Sequence, residues 1–98
     1  MDPTYLNDVL PRTVRIRRLR KSQEYAVFCR PPSKRGFLDA IFPPGLQLVG
    51  HVETGADGTV ILRIKPNYNY VHDFIEKAVD NASRTYPIGD PRRKVEVI

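Results

Sequence analysis

The sequence predicts an α+β fold, in which an antiparallel four- to five-stranded sheet (a meander or a small open barrel) packs against one C-terminal amphipathic helix. Three observations lead there. Short alternating or continuous apolar segments recur between Thr13 and Lys65; a glycine-bearing turn joins the two clearest of them; and one apolar stripe at three- and four-residue spacing follows Pro66. This is the simplest architecture that buries both the apolar side of the sheet and the helical stripe.

Taken in order, "PTYLNDVLP" places Thr4 to cap a short helical turn that Pro11 stops, although residues 1–11 could equally form a flexible arm. In "TVRIR", Val14 and Ile16 alternate with Arg15 and Arg17, the period of a half-buried strand. The phase breaks at Arg17-Arg18, so the strand ends there or a bulge returns Leu19 to the buried side. "EYAVFCR", residues 24–30, is an apolar run rich in aromatic and β-branched types, closed by Pro31, and reads as a strand paired to the first. "FLDAIF", residues 37–42, suits one helical turn or a short strand, and would be a docking loop if exposed.

"LQLVGHVE" and "TVILRIK" are two alternating strands around the hairpin turn "TGADG". Beyond them, Asn67 or Asn69 is a suitable N-cap, and Asp73 and Glu76 sit in early turns where the helix dipole favours anions. Val71, Phe74, Ile75, Ala78, Val79 and Ala82 make the buried stripe. Asp73–Lys77 and Asp80–Arg84 are i,i+4 pairs with the acid first, and Pro87 ends the helix. Residues 91–98, "PRRKVEVI", form a basic tail or an edge strand.

A chain of 98 residues makes one domain with one modest core. The single cysteine, Cys29, excludes an internal disulfide framework and fits a reducing compartment. No segment is apolar enough to cross a bilayer or to serve as a secretory signal, so no membrane partner is expected. The expected location is cytoplasmic, or nuclear in a eukaryotic or viral setting. The net charge of +5 is unevenly placed: residues 1–35 carry nine Lys/Arg against three acids, residues 36–90 four against seven, and the last eight three against one. Concentrated positive charge attracts polyanions.

Six of the ten residues from Arg12 to Lys21 are cations. On a strand, alternate arginines form a row that can meet successive phosphates, which the planar guanidinium fork suits. The candidate nucleic-acid-binding residues are therefore Arg15, Arg17, Arg18, Arg20 and Lys21, with Arg30, Lys34 and Arg35 from the next strand end and loop. Tyr25 and Tyr68 could stack bases. The plainer reading of the same row is a solvated face that protects a sheet edge. In "PNYNY" it is a capped helix start with tyrosines packed at its foot.

His51 and His72 lack metal-ligand spacing, and Cys29 in an apolar strand reads as an inert core thiol. There is no GxxxxGK or GxGxxG loop. No cofactor, no metal and no enzymatic activity are expected.

The succession of four strands and a helix across residues 13–86 is similar to that of single-strand nucleic-acid binders of the Whirly and PUR-repeat types. The resemblance rests on element order and carries over no residue. It implies a sheet that holds the nucleic acid and two units joined through helices or strands. The expectation is thus a small basic protein that binds single-stranded DNA or RNA, rather than a specific duplex sequence, mainly through phosphates, as a homo-oligomer. The alternative is a non-enzymatic assembly or interaction module, of the viral or phage accessory kind, that uses its sheet edges.

Overall fold

The structure is a computed structural model that describes residues 3–20, 24–30 and 45–98. Lys21, Lys34, Arg35 and the segment 37–42 lie outside the described residues. Five strands form one sheet in the order β1 (Val14–Arg18), β2 (Tyr25–Cys29), β3 (Gln47–Thr54), β4 (Val60–Ile64) and β5 (Val95–Val97). One α-helix, α1 (Asn69–Ser83), follows β4, and short 3₁₀ helices span Pro3–Asp8, Pro66–Tyr68 and Pro91–Arg93.

β1 to β4 make the expected antiparallel meander. The sheet as a whole is mixed, because β5 runs parallel to β4. The cause is the connection: α1 carries the chain back along the sheet, so the next strand starts at the end where β4 started. β1 and β5 do not pair, which leaves an open sheet rather than a barrel.

The helical stripe behaves as its spacing predicts. Val71, Ile75, Ala78, Val79 and Ala82 are buried against Val14, Ile16, Val27, Cys29, Val49, Val60 and Leu62 of the sheet. Full burial of side chains such as Ile75 and Leu62 contributes about 1.5–3 kcal/mol each. Phe74, at the margin of the stripe, stays 37% exposed. Neither Asn67 nor Asn69 caps the helix. Tyr68 holds the N-cap position, because Pro66 opens a 3₁₀ turn that runs directly into the helix and Asn69 already has helical angles. Arg84 reaches Asp80 at 3.1 Å, whereas Asp73 lies against His72 at 3.4 Å rather than against Lys77.

Two irregularities shape the sheet. Val27 pairs with Gly50 but Phe28 with Leu48, so β3 fits the extra residue Val49 between them. β1 stops at Arg18 without a bulge of its own. In the β3–β4 hairpin, Gly58 takes a positive φ of 85°, and the Asp57 carboxylate accepts the Thr59 N–H at 3.1 Å. Bonding to Thr59 lowers the Asp57 pKa.

Pro3–Asp8 is the helical turn that Thr4 and Pro11 allowed, anchored by the buried Leu6 and Leu10. Asn7 closes the free edge of β1. Its side-chain amide donates to the Ile16 carbonyl at 2.8 Å, and its oxygen accepts the Ile16 N–H at 2.9 Å, as a neighbouring strand would. Tyr5 meets Tyr86 edge to face at 6.4 Å, and Arg92 covers the Tyr86 ring at 4.3 Å. This ties the N-terminal turn to the segment leading into β5. Burial pushes the Tyr5 phenol up, helped by the nearby Tyr86.

Candidate nucleic-acid interface

The strand register sorts the basic residues onto faces. Arg17 lies opposite Ala26, Ala26 opposite His51, and His51 opposite Arg63, a row across four strands. Beside it runs the row Arg15, Phe28, Leu48. One step further, the Arg30 N–H donates to the Thr13 carbonyl at 2.8 Å, which puts Arg30 in phase with Phe28. Because side chains alternate, all of these share the face opposite α1, while Val14, Ile16, Val27 and Cys29 face the helix. On the far side of the Arg17 row the sign changes: Glu53, Ile61 and Glu96 form the next row. The face is therefore polarised, cationic toward Arg30 and acidic toward Glu96.

Within the cationic half the side chains hold different partners. Arg15 is half-buried and donates to the Asn7 carbonyl at 2.6 Å, so part of its guanidinium is engaged. Arg17 is exposed, and its guanidinium carbon lies 5.7 Å from the Phe28 ring centroid, within cation–π range. Phe28 is half-buried. Arg63 pairs with Glu53 at 2.7 Å, each side chain about half exposed. Such a pair contributes no more than about 1 kcal/mol and yields readily to another anion. The result is an aromatic ring flanked on its own face by two arginines, with further cations one row to either side.

The sequence candidates thus divide. Arg15, Arg17 and Arg30 come together on this face. Arg18 lies opposite Tyr25, in phase with the helix side, and is exposed at its margin. Arg20 is exposed in the turn beyond β1. Tyr25 packs against the core from the helix side, away from the arginine row. Tyr68 leans on the core from the 3₁₀ turn before α1, its ring 6.1 Å from that of Tyr70. Phe28, His51 and Arg63 are the members that sequence reasoning missed. "YAVFC" is apolar throughout, so it carries no sign of which residue faces out; the signal was the short β1–β2 connection, which fixes Phe28 opposite Arg15.

Other chemistry is weakly marked. Cys29 is buried, with Sγ 3.5 Å from the Arg30 carbonyl, and burial raises its pKa, the reverse of an activated thiol. Among the described residues, one group of possible metal ligands lies close together: His72, Asp73 and Glu76 on α1, with Nδ1 of His72 3.4 and 3.6 Å from the carboxylates. Both carboxylates are largely exposed. No helix among the described residues is long and apolar enough to cross a membrane.

The fold and site define a small α+β protein with an open mixed sheet and a polarised outer face. Comparison with protein-family models, with curated proteins and with solved structures finds no match to this chain.

Proposed function

We propose that the protein binds single-stranded nucleic acid across the sheet face opposite α1. The observation that carries this reading is Phe28, which lies opposite Arg15 and within cation–π reach of Arg17, on a face shared with Arg30, His51 and Arg63. A half-buried aromatic ring on this face offers π-surface to any base, and the arginines around it can follow the phosphates on either side. Arg17 supplies both a phosphate contact and a cation against the ring. Arg18 and Arg20 add positive charge at the margin of β1, while Tyr25 and Tyr68 play no stacking part. The reading is of a binding protein and not of an enzyme, with sequence preference slight because stacking and phosphate contacts ignore base identity.

The test is fluorescence anisotropy with labelled single-stranded oligonucleotides. Phe28→Ala is expected to lower affinity by about 1–3 kcal/mol, the usual worth of one stacked base. Arg17→Glu should lower it further, and Arg84→Glu on the distant helix should change it little. Equal losses for Arg17→Glu and Arg84→Glu would show that only net charge matters and would remove the site assignment.

A second reading, a non-enzymatic interaction module, is favoured by the edge of β5, which no described strand covers.

A further inference from the structure

The two edges of the sheet differ. Asn7 pairs with the outer side of β1, but no described residue pairs with the outer side of β5. In the parallel β4–β5 ladder the Val60 N–H bonds the Lys94 carbonyl at 2.8 Å, and the Ile98 N–H bonds the Leu62 carbonyl at 2.9 Å. Even-numbered residues of β5 therefore face β4, and the N–H and C=O groups of Val95 and Val97 point outward. This is the pattern of donors and acceptors that an added strand requires.

Beside that edge runs a groove of about 800 Å³, with α1 as its other wall. Its floor includes Val79, Val95 and Val97, and the helix lines it with Asp73, Glu76 and Asp80, one stripe at three- and four-residue spacing. Lys77 and Arg93 are the cations present, while the Glu96 side chain points to the opposite face of the sheet. Arg84 meets Asp80 from outside the groove lining. The helical lining, with Asp73, Glu76 and Asp80 against Lys77, is thus net acidic in a chain whose net charge is +5.

We propose that this groove takes an extended basic segment of another protein, added to the sheet as a sixth strand beside β5. Backbone bonds to Val95 and Val97 would hold it. Every second side chain would point toward α1, where arginine or lysine meets Asp73, Glu76 and Asp80. Charge decides among occupants. Nucleic acid would be repelled by the acidic wall. A second copy joined β5 to β5 would bring two such walls onto the same face, each facing its own kind. The site is separate from the cationic face and does not depend on the nucleic-acid reading.

The test uses the full chain, isotope-labelled, and an acetylated, amidated heptapeptide Thr-Arg-Val-Arg-Val-Arg-Thr. Saturable binding is expected, with amide exchange at Val95 and Val97 slowed. The triple variant Asp73→Asn, Glu76→Gln, Asp80→Asn should weaken binding by about tenfold with an unchanged circular dichroism spectrum. A peptide with glutamate at the three arginine positions should not bind, and N-methylation of alternate peptide bonds should abolish binding by the arginine peptide. Equal binding of the glutamate peptide would overturn the proposal. So would binding without protection at Val95 and Val97, or a concentration-dependent dimer that already protects them before peptide is added.

Discussion

Gly50 pairs with Ile64 of β4 next to the extra residue Val49, and a Cβ there would collide with the Arg63 carbonyl. The neighbour is backbone and cannot move aside cheaply. Gly50→Ala should therefore destabilise the fold by about 1–3 kcal/mol in urea unfolding. Gly45→Ala, with open space at its Cβ, should stay within about 0.5 kcal/mol. Asp90 illustrates a different residue-scale effect. Its carboxylate accepts bonds from Arg92 Nε at 3.0 Å, Nη2 at 2.6 Å and the Arg92 backbone N–H at 2.9 Å, which holds its pKa at about 2. The unfolded value is about 3.9, so the folded state is stabilised above that pH and loses the contribution as pH falls toward 2. Thermal unfolding of the native chain and of Asp90→Asn should differ by a constant amount above about pH 5 and converge between about pH 4 and pH 2.

At the scale of elements, Asn7 shows how a side chain can stand in for a strand. Asn7→Ala leaves the Ile16 N–H and carbonyl without their partners and should cost about 1–2 kcal/mol. It should also speed amide exchange at Ile16, which a general loss of stability alone would not confine to that position. Such a cap was not readable in "PTYLNDVLP", since the bond joins residues nine apart in sequence. What could be read were elements with a clear period. The alternation in "VRIR" and "TVILRIK" and the stripe from Val71 to Ala82 each matched one observed element, because one face of each is buried. The direction of β5 was not legible: "VEV" is three residues long and looks the same for a parallel or an antiparallel strand. Nor was the helix cap, where Pro66 outweighed the preference of Asn for the N-cap position.

For the whole molecule, the distribution of charge matters more than its sum. Positive charge gathers on the outer face toward Arg30 and at the β1–β2 turn, while Asp73, Glu76 and Asp80 line the groove beside β5 at the opposite edge. The arginine row was legible in the sequence because period two is visible without a fold. Its aromatic centre was not, because Phe28 joins Arg15 and Arg17 only through pairing between strands. The same pairing moved Tyr25 to the helix side. The central claim is that the outer face has a polyanionic strand as its ligand, and affinity for a single-stranded oligonucleotide between about 50 and 200 mM salt tests it most directly. Counterion release predicts that log affinity falls linearly with log salt at about 0.7 per phosphate neutralised, so a slope of about −2 to −3 would correspond to three or four contacts. That slope should become shallower by about 0.7 in Arg17→Ala and stay unchanged in Phe28→Ala, which weakens binding without removing a charge. No binding at the low-salt end, or a slope indifferent to Arg17, would contradict the claim and leave the cations as a solvated face.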